Sequence, residues 1–134
     1  LAPGGALPPR AAITPEMLAP HADKFQPGAR VLYRTGWDRR FAAAEYFSAH
    51  PSLTTAAAEW IAARRITLLG MDAPSPSAAW KEAHEILLRP GVEIVVVENL
   101  TRLDLLPERF TFIGFPLNVQ GRDGAPVRAV ALVE

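Results

Sequence analysis

The sequence predicts an α/β domain with a mixed sheet flanked by helices. Three observations carry this. Apolar β-branched runs alternate with helical stretches, the order expected of strands joined through helices. Val92–Val97 is almost continuously apolar and β-branched, as in a strand covered on both faces. Phe110–Leu117 and Val127–Val133 flank the turn signal Gly121-Arg122-Asp123-Gly124 and read as an antiparallel pair.

Taken in order, residues 1–12 are rich in Pro, Gly and Ala and read as an extended arm or linker ahead of a domain at 13–134. Thr14-Pro15-Glu16 opens a helix to about Asp23: Thr caps, Pro suits the first helical position, and Glu suits the positive end. Gln26-Pro27-Gly28 is a turn, and Ala29–Arg34 a strand that Thr35-Gly36-Trp37-Asp38 breaks. Arg39–His50 is helical in character, with Pro51 ending it. Thr54 caps a helix over Thr55–Arg65, and Ile66–Asp72 is an apolar strand ending in an acid. Ala73–Ser77 is a loop, Ala78–Leu88 a helix, and Arg89-Pro90-Gly91 its stop before Val92–Val97.

Composition narrows the function. Lys+Arg and Asp+Glu both number 14, so no net charge draws the chain to nucleic acid or to an anionic membrane surface. No apolar run approaches the length of a membrane span, and no signal peptide opens the sequence, so a cytoplasmic location is the expectation. The first residue is not Met, and a cut or processed end is expected there. With no cysteine, thiolate ligands and Cys nucleophiles are excluded. There is no Gly-rich phosphate loop, nucleophile elbow or His-Glu-x-x-His motif.

A few residues stand out. On the Ala78–Leu88 helix, Trp80, Ala83, His84, Leu87 and Leu88 share the face expected to meet the core, while Lys81, Glu82, Glu85 and Arg89 lie mainly opposite. His84 is then either a hydrogen-bonded core histidine or a ligand. Glu98 directly follows Val92–Val97, and in open α/β sheets ligands bind beyond the carboxyl ends of the strands. It either does chemistry there or caps the next loop. Asp72 likewise ends a strand; with Ser75 and Ser77 it lines a crevice or makes an Asx turn. Trp37 either stacks on a planar substrate or packs. His21 and His50 sit at helix ends and read as structural.

From Ile13 onward the chain resembles the cyclase family, which includes bacterial kynurenine formamidases and isatin hydrolases. The matching segments, in order, are Ile13-Thr-Pro-Glu16, Gln26 through Trp37, Glu45-Tyr-Phe47 and Leu69-Gly-Met-Asp-Ala-Pro-Ser75. They continue with Ala83-His-Glu-Ile-Leu-Leu88, Val97-Glu-Asn-Leu100, Arg109 through Leu117 and Gly121 through Val130. The resemblance implies a swivelling β/β/α-type domain, of which this chain is the C-terminal portion and so incomplete. It implies a hydrolase of small amides or cyclic amides such as N-formylkynurenine, acting through one or two divalent ions, Zn²⁺ or Mn²⁺, in a homo-oligomer. His84 and Glu98 correspond to the family's downstream metal ligands; Trp37, which follows a strand end, is expected to line the substrate pocket.

One departure is large. The family's upstream His-x-Gly-Thr-His-x-Asp-x-Pro-x-His segment, which carries the other ligands and the acid/base His, is absent. A His and a Glu alone fall short of the three protein ligands of a catalytic zinc. Either further polypeptide or a second chain supplies the rest, or the protein is a non-catalytic binding module with the same fold.

Overall fold

The computed structural model describes residues 1–2 and 5–133, and it divides into two units, Leu1–Thr101 and Arg102–Glu134. The first contains, in chain order, β1 (Ala12–Ile13), α1 (Pro15–Leu18), β2 (Arg30–Tyr33), β3 (Ser52–Leu53), α2 (Thr55–Ala62), β4 (Leu68–Met71), α3 (Trp80–Leu88) and β5 (Val95–Val97). The second contains β6 (Thr111–Pro116) and β7 (Val127–Leu132). The α/β class stands, with parallel and antiparallel pairings in separate ladders.

In the first unit β2, β4 and β5 form a parallel sheet with β4 in the centre. Arg30 pairs with Leu68 and Tyr33 with Met71, while Leu68 pairs with Val95 and Gly70 with Val97. All three strands therefore end on one edge, and the segments leaving them, at Thr35, Asp72 and Glu98, emerge together. A short parallel pair, β1 with β3, joins Ala12 to Ser52 and Ile13 to Leu53. Two residues each were too few to show as strands in the sequence.

The Thr54 hydroxyl accepts from the Ala57 N–H at 3.1 Å and starts α2. Ala57 and Ile61 of α2 join Ile13, Leu53, Leu69, Leu87 and Ile94 in the main core. Ala58, Ala62 and Ile86 close the α2–α3 contact. Each fully buried Leu or Ile contributes roughly 1.5–3 kcal/mol relative to exposure. Among the described residues no helix is long and apolar enough to cross a membrane.

Several elements differ from expectation for identifiable reasons. The first helix is α only over Pro15–Leu18 and continues as a 3₁₀ helix over Ala19–Lys24, because Pro20 has no N–H for the α ladder. Arg39–His50 is not a helix: a 3₁₀ turn over Trp37–Arg40 runs into successive turns. Trp37 and Tyr46 are both buried and stack with ring centroids 6.5 Å apart. At about 100° per residue, positions nine apart fall on opposite sides of a helix, so their shared burial requires turns. Val92–Val97 is a strand only over its last three residues, since Glu93 takes a left-handed conformation with φ 51°. It is an edge strand, paired with β4 alone, and Val95 is 57% exposed, not covered on both faces. Within the stretch expected as an arm, of which residues 3–4 lie outside those described, the Leu7 N–H donates to Thr35 O and the Arg10 N–H to Ala49 O, both at 2.8 Å.

The second unit is the expected antiparallel hairpin, with Thr111 opposite Leu132 and Pro116 opposite Val127. Phe115, Leu117 and Leu132 are exposed on it.

The β2 and β4 exits are joined by Asp72, which is fully buried. Its Oδ1 accepts from the Thr35 N–H at 2.8 Å and the Thr35 hydroxyl at 2.6 Å, and its Oδ2 accepts from the Gly36 N–H at 2.6 Å. Gly36 has φ 78°, and a β-carbon there would lie 2.7 Å from Gly5 O, so glycine is required twice over. Removing the carboxylate strands three donors in the interior. Asp72→Ala is expected to cost roughly 3 kcal/mol or more, and Asp72→Asn less. Urea unfolding followed by circular dichroism measures both; equal stability of Asp72→Ala and the parent would contradict this account.

Candidate functional site

A cleft of about 430 Å³ opens at the carboxyl edge of the parallel sheet. The α3 helix builds one wall because its first residues follow the β4 exit loop and so lie over that edge. Glu98, the first residue after β5, faces it. The loop ahead of α3 contributes Ser75 and Ser77, and the turns after Trp37 contribute Phe47 and His50.

His84 and Glu98 are brought together, with Nε2 3.3 Å from Oε1. The other ring nitrogen of His84, Nδ1, lies 2.6 Å from the Trp80 carbonyl oxygen, one turn back along α3. A carbonyl only accepts, so Nδ1 carries the proton and donates. In the neutral ring Nε2 then presents a lone pair. Glu98 Oε1 is buried and has no hydrogen-bond partner. The 3.3 Å approach is within ion-pair range but lacks the direction of a hydrogen bond. Two electron-rich atoms therefore face each other, an arrangement that repels unless a proton or a cation lies between them. Burial pushes the Glu98 carboxyl above the usual carboxylate range, opposed in part by the nearby imidazole.

The other sequence candidates are placed differently. Trp37 is not a wall of the cleft: it is 0% exposed, its indole N–H donates to Tyr46 O at 2.9 Å, and it serves as packing. The exposed aromatics of the cleft are Phe47 and Trp80. Trp80 and Leu88 were expected on the core face of α3, but the buried face is Ala83, Ile86 and Leu87, which leaves His84 at its margin, facing the cleft. Asp72 makes no crevice wall; its oxygens are taken up by Thr35 and Gly36. Ser75 does line the cleft, and its hydroxyl oxygen is buried without a partner. His21 is exposed on the 3₁₀ helix. His50, read from sequence as structural, is buried and borders the cleft, with Nδ1 3.1 Å from Pro51 O. No sequence spacing announces it. Among the described residues no three His, Cys, Asp or Glu side chains converge to hold a metal.

Residues 5–78 match the family described as Putative cyclase. The chain is 35% identical over 125 residues to a kynurenine formamidase of Bordetella petrii, covering 88% of this chain and 55% of that protein. A predicted metal-dependent hydrolase from Bacillus stearothermophilus superposes with a TM-score of 0.76 at 26% identity, over 90% of this chain and 56% of that one. Isatin hydrolase A from Labrenzia aggregata, bound to benzyl benzoate, gives 0.78 at 25% identity, over 92% and 54%. The chain thus spans about half the length of the relatives it matches.

The buried carboxyl yields a signed expectation. Its pKa is raised in the fold, so the folded state is penalised once Glu98 ionises; that penalty is absent below the unfolded value and grows as pH rises through the folded one. In metal-free protein, Glu98→Gln should raise the thermal midpoint by a few degrees at pH 8, and the gap should shrink as pH falls toward 4. Differential scanning calorimetry across that range is the check, and a midpoint lowered at pH 8 would contradict it.

Proposed function

The chain belongs to the cyclase family, and on that premise we propose that it forms one side of a divalent-metal site in a hydrolase of small amides, with His84 and Glu98 as ligands. The observation that carries this is the 3.3 Å approach of Nε2 to Oε1, a buried oxygen without a hydrogen bond, across a gap that a positive charge would fill. Imidazole nitrogen and carboxylate oxygen suit Zn²⁺ or Mn²⁺. The pair is short of a full ligand set, so the remaining ligands come from outside these residues, from further polypeptide or a second copy of the chain. The relatives' greater length and their names, formamidase and metal-dependent hydrolase, support that reading.

A bound divalent ion supplies charge that polarises a carbonyl and acidifies water. The rest is done by side chains of this chain. Glu98 serves ionised and His84 neutral, and the Trp80 carbonyl holds the ring tautomer that leaves Nε2 free. Phe47 and Trp80 offer apolar faces to the body of a substrate. The Ser75 hydroxyl has hydrogen-bonding capacity left for its amide. The substrate is a small amide or cyclic amide of the kind that formamidases and isatin hydrolases take. The rival reading, a binding module without chemistry, rests on the absence of a three-ligand group among the described residues.

Metal analysis and a formamidase assay on the full-length protein separate the two. His84→Ala and Glu98→Ala should each abolish stoichiometric metal, and activity should drop about 100-fold or more, beyond the usual effect of changing a residue behind the ligands. Metal content unchanged in both variants would end the assignment. Bound metal without hydrolysis would favour the rival.

A further inference from the structure

Asn99, directly after Glu98, has φ 58°, in the left-handed region that Asn enters more readily than most residues with a β-carbon. Three contacts hold the turn. The Asn99 N–H donates to Ala73 O at 3.0 Å, and the Leu100 N–H to Met71 O at 2.9 Å. The third is made by a side chain: the Tyr46 hydroxyl donates to Asn99 Oδ1 at 2.9 Å, bridging 53 residues. Tyr46 is 1% exposed and boxed by aromatic rings, stacked on Trp37 and met edge-on by Phe41 and Phe47 at 5.2 and 5.1 Å. Its hydroxyl oxygen is therefore a fixed point. Burial pushes its pKa up to about 12, so it remains a donor at any working pH.

We propose that Tyr46 is a positioning residue for Glu98: by holding Asn99 in the left-handed turn, it bends the chain so that the carboxylate returns toward His84. The same ring supports Phe47, so one side chain sets both the aromatic wall and the acidic wall of the cleft. No sequence spacing links Tyr46 to Glu98; the link exists only in the fold. The inference rests on the reading of His84 and Glu98 as a metal-binding pair, and its test has an arm that does not need the metal.

Tyr46→Phe removes one oxygen and keeps the ring. In metal-free full-length protein, ¹⁵N-imidazole NMR at fixed pH should show the His84 ring signals displaced and those of exposed His21 unmoved, with the thermal midpoint nearly unchanged. With Co²⁺ as probe, Tyr46→Phe should weaken binding by about 10-fold, the low end for a residue that orients a ligand. Asn99→Gly, which adopts the turn freely but loses the tether, should weaken Co²⁺ similarly. The double variant should do no worse than the weaker single, because both remove one contact. Unmoved His84 signals in Tyr46→Phe, strictly additive losses, or a Co²⁺ loss that merely follows lost thermal stability would each overturn the proposal. If the unaltered protein binds no Co²⁺, the metal reading fails, and the His84 signals alone decide the role of Tyr46.

Discussion

The carboxylate of Asp72 is the constraint on which the rest of the first unit hangs. Parallel strands ending on one edge leave their departing backbone N–H groups close together, away from any ladder partner. A buried anion is tolerable there only if those donors satisfy it, and here the Thr35 and Gly36 N–H groups and the Thr35 hydroxyl do so. The arrangement decides where β2 turns away from β4. It also sends the chain into the segment that buries Trp37 and Tyr46, and hence supports the cleft.

Two acids thus leave the same sheet edge with opposite fates. Asp72 is saturated by donors within its own fold, and nothing remains for a ligand. Glu98, one strand over, is half-buried, and its Oε1 meets only the lone-pair side of an imidazole. A fold optimised for its own stability would replace such a pair with apolar groups of like shape. That contrast separates the two acids without appeal to any relative.

How far the sequence revealed this follows from what kind of signal each feature leaves. Periodic and capped elements were legible: α2 with its Thr54 cap, the central strand at Leu68–Met71, and the β6–β7 hairpin with its turn residues. The His84–Glu98 pair was legible only as two residues at the ends of one helix-turn-strand unit, with a family resemblance joining them. What escaped were features fixed by distant partners. Arg39–His50 has helical composition, yet the need to bury Trp37 and Tyr46 together overrides it. Trp37 follows a strand end, which points to the pocket, but Asp72 turns the chain there and the indole folds inward. The Tyr46–Asn99 bond spans 53 positions and leaves no periodic trace. The edge character of β5 depends on strand order, which hydrophobicity does not encode.

The proposed two-residue half-site can persist as a defined structure. A histidine and a glutamate that need a cation could simply turn away from one another when none is bound. Here the imidazole and the backbone beyond the carboxylate are each held by other groups. The His84 ring is pinned through Nδ1 to the Trp80 carbonyl, and the backbone after Glu98 is pinned through Asn99 to Ala73 and to Tyr46. Both ends of the unfavourable contact are held from behind by groups that take no part in it. Such preorganisation lowers the reorganisation that binding a positive charge between the two side chains would require. The contacts behind the pair, more than the pair itself, give the proposed cation site its geometry.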